Sequence, residues 1–359
     1  MAKIPSWKGL EIPSSLNFEQ CSSEAAATYK AKVMASFGPV GKIADLTGGL
    51  GVDCSAFAKV ASGVLYIERD AVLAAAAARN FRALADRYDG WCSNIDVRCA
   101  VSDAAFIEAL PHQDWIFLDP ARRSELGRKV FLLEDCSPNV ADLLPMLLSS
   151  ADRVMLKLSP MADITMLRLR LGPSLRQVHI VGAAGECKEL LCVLEGSVDG
   201  FGEPEIVVHD VSGAEFRFLP SENMSAVVTW SETVAIGMEL WEPDAVMMKA
   251  ACHPLICSRF GLKKFSPESH LYVRDAESGG KSMGDGLFKV FRIVDVFPFG
   301  KQGFSAAGMA YPVADVSARG VPMRSEELAR RLKVRPGGDV HIFGAVLGSE
   351  RILIVTRRV

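Results

Sequence analysis

Residues 42–57 read KIADLTGGLGVDCSAF: an apolar run ending in Asp45, a turn that holds Gly48, Gly49 and Gly51, and then a helical stretch. Glycines at such a turn let the backbone bend tightly and approach a ligand, while the start of the helix offers free N–H groups. Taken alone, the turn serves several adenine-containing cofactors alike, and TGGLG departs from a strict GxGxxG spacing.

Outward from that turn, residues 41–196 alternate short apolar runs with helical stretches: KIADL, GVDCSAFAKVA, VLYIE, AVLAAAAARNFRALADR, DVRCA, DWIFLD, DRVMLKLS, QVHIVGA and ELLCVLEG. Such alternation predicts a doubly wound α/β sheet with largely parallel strands. The last two runs are joined by GECKE, too short for a helix, so the sheet should end in an antiparallel hairpin. Residues 1–40 read as a lead-in, extended and proline-punctuated at first, then helical from about Ser22 to Phe37. Residues 197–287 break into short, separated runs expected of a small α+β piece. Residues 288–359 form a further α+β segment, in which Ser325, Glu326 and Glu327 start a helix and PGGD turns the chain after it.

With 49% hydrophobic and 23% charged residues, the 359-residue chain can bury two or three cores and has no bias towards disorder. It contains no stretch of 18 or more apolar residues free of charges and turn signals, and MAKIPSWKGLEIP lacks the apolar run of a secretory leader. The nine cysteines are odd in number and include no CxxC pair. That argues against a disulfide framework or zinc knuckle and for a cytoplasmic setting with thiols packed as small core residues. No metal-ligand spacing is found among the histidines; His253 beside Cys252 and Cys257 lacks a fourth ligand, which favours a core reading. The formal charge of −3 is uneven: about −2 over 1–196, −7 over 197–280 and +6 over 281–359. A basic module on an acidic protein fits a phosphate-backbone footprint as well as it fits a solvated face.

Acidic residues stand where successive strands should end. Glu68 closes VLYIE, with Arg69 beside it, about two dozen residues after Asp45, where a carboxylate can accept both hydroxyls of a ribose. Asp103, in VSDAAF, follows the third strand and could accept from an adenine amino group; each acid can also be read as a helix cap. The fourth strand, DWIFLDPARR (114–123), runs straight into Asp119-Pro120, so a carboxylate is presented at the tip while proline fixes the backbone behind it. A nicotinamide-dependent oxidoreductase has no need of that arrangement. Lys157, Ser159 and Pro160 follow the fifth strand, where Lys157 can either serve the chemistry or simply pair with Asp119. Cys136 would suit a covalent route to pyrimidine C5, but no cysteine follows the fifth strand and packing is the favoured reading.

DLTGGLGVD, YIERD, LDPARR, KVFLLEDCSPN, MLKLSPMADI and GECKELLCVL together resemble the bacterial class I S-adenosylmethionine-dependent methyltransferases that carry a C-terminal THUMP-like domain. EQCSSEAAATYKA (19–31) is similar to the helix ahead of the first strand in that family, and SEELARRLKV, GGDVHIFG and RILIVTRR more loosely resemble its THUMP-like module. The resemblance implies a Rossmann-like class I methyltransferase sheet over 41–196, a ferredoxin-like piece over 197–287 and a basic THUMP-like domain over 288–359. It implies direct SN2 methyl transfer to RNA, a tRNA or rRNA base nitrogen above all. Asp45, Thr47, Gly48, Gly49 and Gly51 would then hold the methionine part of S-adenosyl-L-methionine, Glu68 the ribose and Asp103 the adenine, with Arg69 a further cofactor-binding residue and Gln20 and Ser22 or Ser23 closing over the carboxylate. Asp119 and Pro120 would position the acceptor. The family's motif places an aromatic residue after the Asp-Pro pair; Arg122 stands here instead, and its guanidinium can stack on a base or pair with phosphate. Arg319, Arg324, Arg330, Arg331, Lys333 and Arg335 would grip RNA phosphates. The resemblance leaves open whether further helical sequence belongs ahead of Met1. Set against it are a non-catalytic RNA-binding scaffold with a vestigial cofactor site and a protein or small-molecule methyltransferase; the latter leaves the basic module unexplained.

Overall fold

The computed structural model describes residues 3–122, 133–196, 202–275 and 286–359. The chain divides into two compact units, Met1–Val181 with Lys188–Val207, and Gly182–Cys187 with Val208–Val359.

The first unit contains strands β1 (Val40–Asp45), β2 (Ala61–Glu68), β3 (Ile95–Cys99), β4 (Gln113–Leu118), the two-residue β5 (Ala121–Arg122) and β6 (Cys136–Ser137), then β7 (Ala151–Leu158), most of β8 (Leu175–Ala183) and of β9 (Glu186–Glu195), and the start of β10 (Glu205–Asp210). The strands follow the order β10, β8, β9, β7, β4, β1, β2, β3. β1, β2, β3, β4 and β7 run parallel, and β9 lies antiparallel against β7. β4 is buried almost without a break, and β1 and β7 are buried through Ile43–Asp45 and Val154–Leu156, as central strands covered on both faces must be. The expected hairpin closes between β8 and β9 at Ala184 and Gly185, both left-handed at φ +54° and +81°, the geometry that matches strand twist.

Helices connect the strands, and most carry side-chain caps. α1 (Ser15–Gln20) is capped by Ser14 and α2 (Glu24–Ser36) by Ser23, so the part of the lead-in expected to be extended holds a further short helix. After α3 (Val52–Phe57), α4 (Ala71–Arg87) is capped by Asp70 and buries Leu73, Ala77, Phe81 and Leu84 along one stripe. α5 (Ala104–Glu108), α6 (Val140–Ser150) and α7 (Ile164–Leu171) are capped by Asp103, Asn139 and Asp163.

The expected boundary after residue 196 does not coincide with the division: residues 188–207 stay with the first unit, because the apolar run EIVVHD adds β10 beside β8. The second unit contains β11 (Glu215–Phe218), β12 (Glu239–Pro243), β13 (Lys263–Lys264), β14 (Tyr272–Arg274), β15 (Phe288–Pro298), β16 (Asp315–Arg319), β17 (Val340–Leu347) and β18 (Glu350–Arg358), with the short helices α8 (Pro220–Ser225), α9 (Ala245–Ala250) and α10 (His253–Phe260) ahead of two further helices. Its seven-stranded sheet, β13-β14-β12-β15-β18-β17-β16, joins the two expected small pieces through the antiparallel β12–β15 ladder. Alternation along the strands feeds two cores. Phe343 and Ile354 join Leu240, Phe265 and Phe291, while Ile342 and Val355 pack with Phe304 of α11 (Lys301–Ala310) and Leu328 and Leu332 of α12 (Ser325–Leu332). No helix among the described residues is long and apolar enough to cross a membrane.

Candidate active site

The registers Asp45↔Phe117, Glu68↔Cys99 and Leu118↔Leu156 bring the carboxyl ends of β1, β2, β3, β4 and β7 to one edge of the first unit. Ligands of open α/β sheets sit at that edge. Asp45 is 1% exposed there. One of its carboxylate oxygens accepts from the Thr47 amide at 2.9 Å and the other from the Cys54 thiol at 3.3 Å. Burial pushes its carboxyl up to about 7, against the pull of the Thr47 amide.

The turn beyond Asp45 is shaped by what stands behind it. The Gly48 amide donates to the Ile67 carbonyl at 2.8 Å, which fastens the turn onto β2. A Cβ at Gly48 would stand 2.2 Å from the Tyr66 ring, and one at Gly51 (φ +90°) would stand 2.5 Å from the Phe81 ring. Only glycine fits either position. Glu68 accepts from the Gly49 and Asp70 amides, each at 2.9 Å, so its carboxylate is held beside the turn. Ser102 donates to the Leu46 carbonyl at 2.6 Å and draws the loop after β3 to the same edge. Asp103, exposed beside it, caps α5 through the Phe106 amide at 2.9 Å. Arg69 points outward and is exposed.

At the tip of β4 the Asp119 amide donates to the Thr47 hydroxyl at 2.6 Å, which joins the glycine turn to the Asp-Pro pair. Pro120 is buried behind it. The Asp119 carboxylate forms an ion pair with Lys157 at the end of β7. Burial alone would lower the Lys157 ammonium; the carboxylates of Asp119, Glu189 and Asp53 overcome it and hold the group above the usual lysine range. Lys157 is therefore a fixed cation and no proton acceptor at neutral pH. The backbone of Arg122 pairs with Cys136 across β5 and β6, whereas its side chain, Arg123 and the start of KVFLLEDCSPN lie outside the described residues. Cys136 is buried.

Three residues to which the sequence assigned no role stand behind this edge. Lys30 of α2 is fully buried, with its ammonium 3.0 Å from Asp53 and 2.8 Å from Glu189. It also donates to Ser22, whose hydroxyl donates on to Asp53 at 2.7 Å. The expected cofactor residue Ser22 thus belongs to a buried charge network, Ser23 caps α2, and Gln20 ends α1 on the surface. Lys30 looks like any lysine of an alanine-rich helix; its one signal in the sequence is that the positions three and four away on either side, Ala26, Ala27, Val33 and Met34, are all apolar.

In the second unit, Arg324, Arg330, Arg331, Lys333 and Arg335 belong to α12 and its flanks, where the strong amphipathic pattern buries Leu328 and Leu332 and turns the charged face outward. Arg331 is shared with Glu327 one turn back. Arg319 is engaged by Glu242 of β12, at 2.6 and 2.7 Å, which limits its availability to a phosphate. His253 bonds Tyr272 at 2.8 Å and stacks on His270, Cys252 and Cys257 are buried, and the described residues hold no group of three or more potential metal ligands.

Residues 240–278 match the family profile described as a ferredoxin-like domain, and residues 288–358 match that of a THUMP-like domain. A solved structure from Porphyromonas gingivalis W83, described as a candidate methyltransferase, is 30% identical, covers 99% of this chain and 86% of its own, and superposes with a TM-score of 0.84. Weaker likenesses include a predicted O-methyltransferase from Agrobacterium tumefaciens (17% identity, 51% and 85% of the two chains, TM-score 0.34). Another is a candidate RNA methyltransferase from Pyrococcus horikoshii (16% identity, 53% and 94%, TM-score 0.36). No curated protein matches the chain.

Proposed function

The chain belongs to the class I methyltransferases that carry a ferredoxin-like and a THUMP-like domain, and from that premise we propose that it methylates a base nitrogen of RNA using S-adenosyl-L-methionine. The acceptor set fits this cofactor: a buried carboxylate at Asp45 suits an ammonium group, and Glu68, held beside the turn, suits a ribose diol. Asp45, Thr47, Gly48, Gly49, Gly51, Glu68 and Asp103 would hold it. When bound, it supplies a methyl group already activated on a sulfonium.

The observation that carries the reading is the bond from the Asp119 amide to the Thr47 hydroxyl. It fixes the acceptor tip against the cofactor turn, so both reactants are positioned by one rigid corner, and in-line positioning is the main contribution such a reaction needs. Asp119 accepts a hydrogen bond from the acceptor nitrogen, and the Pro120 carbonyl offers a second. Lys157, locked as an ammonium, keeps the Asp119 carboxylate aimed. Asp119 would hold the acceptor nitrogen in line with that methyl group, and the proton the nitrogen gives up would pass to solvent, since Lys157 is already protonated. RNA is favoured by the THUMP-like match and by the net +6 of residues 281–359.

Calorimetric titration with S-adenosylmethionine and, separately, NADH tests the cofactor. Binding of the former only, lost in Asp45→Ala and Glu68→Ala, is expected; folded protein that fails to bind it would return the chain to the scaffold reading. Transfer of labelled methyl to bulk RNA then tests the substrate.

A further inference from the structure

The glycine turn is tied to backbone at Gly48 and Gly51, and to side chains at Gly49. The Gly48 amide donates to the Ile67 carbonyl, the Gly51 amide to the Gly48 carbonyl at 2.9 Å and the Gly49 amide to Glu68. A further bond comes from a residue to which the sequence assigned no role: the Tyr66 hydroxyl donates to the Gly49 carbonyl. Tyr66 is fully buried in β2, beside Asp45 in the β1–β2 ladder. Its ring closes off Gly48 and meets Phe81 edge-on at 5.6 Å, and Phe81 in turn meets Trp7 of the lead-in at 6.3 Å. Packed in this wall, the phenol cannot swing to another acceptor. Burial and the Glu68 carboxylate hold it above the usual tyrosine range, so it stays protonated and donates.

Gly49 lies at φ +56°, a conformation that glycine leaves as readily as it enters. Bonds on both sides of its Cα remove that freedom: its amide is tied to Glu68 and its carbonyl to Tyr66. A buried phenol without an acceptor is costly, so the second bond persists without a ligand and the turn is set before one enters. We infer that Tyr66 is a positioning residue: its hydroxyl fixes the Gly49 backbone, whose amide then keeps the Glu68 carboxylate aimed at the ribose hydroxyls of the cofactor. The inference rests on the S-adenosylmethionine reading and gives Tyr66 no contact with the ligand itself. Its consequence is that one oxygen atom behind the turn governs how well the site reads a ribose.

The test compares dissociation constants of S-adenosylhomocysteine and its 2′-deoxyribose analogue, by calorimetry in the full chain. The two ligands differ in one hydroxyl, so general damage to the turn weakens both and leaves their ratio unchanged. Wild type should favour the ribose form on the order of tenfold or more, the worth of one hydrogen bond to a carboxylate. Tyr66→Phe keeps the ring against Gly48 and removes only the hydroxyl; the ratio should fall to about threefold or less. Phe81→Leu loosens the same wall with the phenol in place and should weaken both ligands alike. In Glu68→Ala the preference is already lost, and adding Tyr66→Phe should change the ratio no further. If Tyr66→Phe does not fold, Gly49→Ala decides: its Cβ would meet nothing nearer than the Thr47 carbonyl at 3.7 Å, yet it disfavours the left-handed backbone, and the same fall is expected. An unchanged ratio in the deciding variant, or an equal fall in Phe81→Leu, would overturn the inference and leave the methyltransferase reading standing. Wild type that binds both ligands equally would also overturn it, because Glu68 would then not read the ribose. Folded wild-type protein that binds neither ligand would overturn both the inference and the cofactor reading.

Discussion

The hydroxyl of Thr47 accepts the backbone amide of Asp119 at 2.6 Å and reaches the Asp45 carboxylate at 3.4 Å. One side chain thus ties the tip of β1 to the tip of β4. Thr47→Val keeps the shape and removes both bonds, leaving the Asp119 amide without its acceptor. The variant should be destabilised by about 1–3 kcal/mol and lose most methyl transfer, whereas Thr47→Ser should retain both. Urea midpoints and transfer rates check this; equal rates in Thr47→Val and wild type would show that the corner is not needed.

Asp45 gives the ligand-free protein a pH dependence of unusual sign. Its carboxyl is pushed up to about 7 in the native state from an ordinary value of 3.8. Below that ordinary value both states are protonated and folding is not penalised. Between about 4 and 7 the unfolded chain releases a proton that the native state keeps, so stability falls as pH rises, and above about 7 the penalty is complete. Asp45→Asn should therefore gain on the wild type across that window, by at most about 4 kcal/mol. A stability gap that stays constant from pH 4 to 8 would contradict it.

Gly48→Ala places a Cβ 2.2 Å from the Tyr66 ring, within a turn fastened to Ile67. The turn must shift, and a loss of about 1–3 kcal/mol is expected together with loss of cofactor affinity. Thermal denaturation and calorimetry read the two effects separately; a variant with unaltered melting and binding would refute the close fit.

The cations around α12 should differ from Arg319. Changing Arg324, Lys333 and Arg335 together to Gln should weaken RNA binding and flatten its dependence on log salt by about 2 to 3, at roughly 0.7 to 0.9 for each phosphate no longer neutralised. Arg319→Gln should instead destabilise the fold, since Glu242, 8% exposed, loses its partner. Binding isotherms for bulk tRNA at several salt concentrations decide this; an unaltered slope in the triple variant would remove these residues from the RNA footprint.

Much of the candidate site was legible because it is local. The glycine turn, Glu68 at the end of VLYIE and Asp119-Pro120 at the end of DWIFL each declare themselves within one strand-and-turn unit. The hairpin after Ala183 followed from a link too short for a helix. Lys30, Asp53 and Glu189 were not legible, since they come from a lead-in helix, a short helix and an antiparallel strand, and no periodicity relates them. The same holds for Arg319, which sits in a basic stretch of sequence yet meets Glu242 of β12 at the tip of β16.

Sequence by itself determined the strand-and-helix alternation, the order of acids at the strand tips and the basic character of the last segment, because hydrophobic period, turn residues and charge are properties of neighbouring positions. Only the tertiary structure decided that EIVVHD extends the first sheet, that β12 and β15 merge two expected pieces into one sheet, and that Lys30 lies among carboxylates behind the site. Those outcomes depend on which distant surfaces bury each other and which charges must then find partners away from water. Neither is written in local spacing.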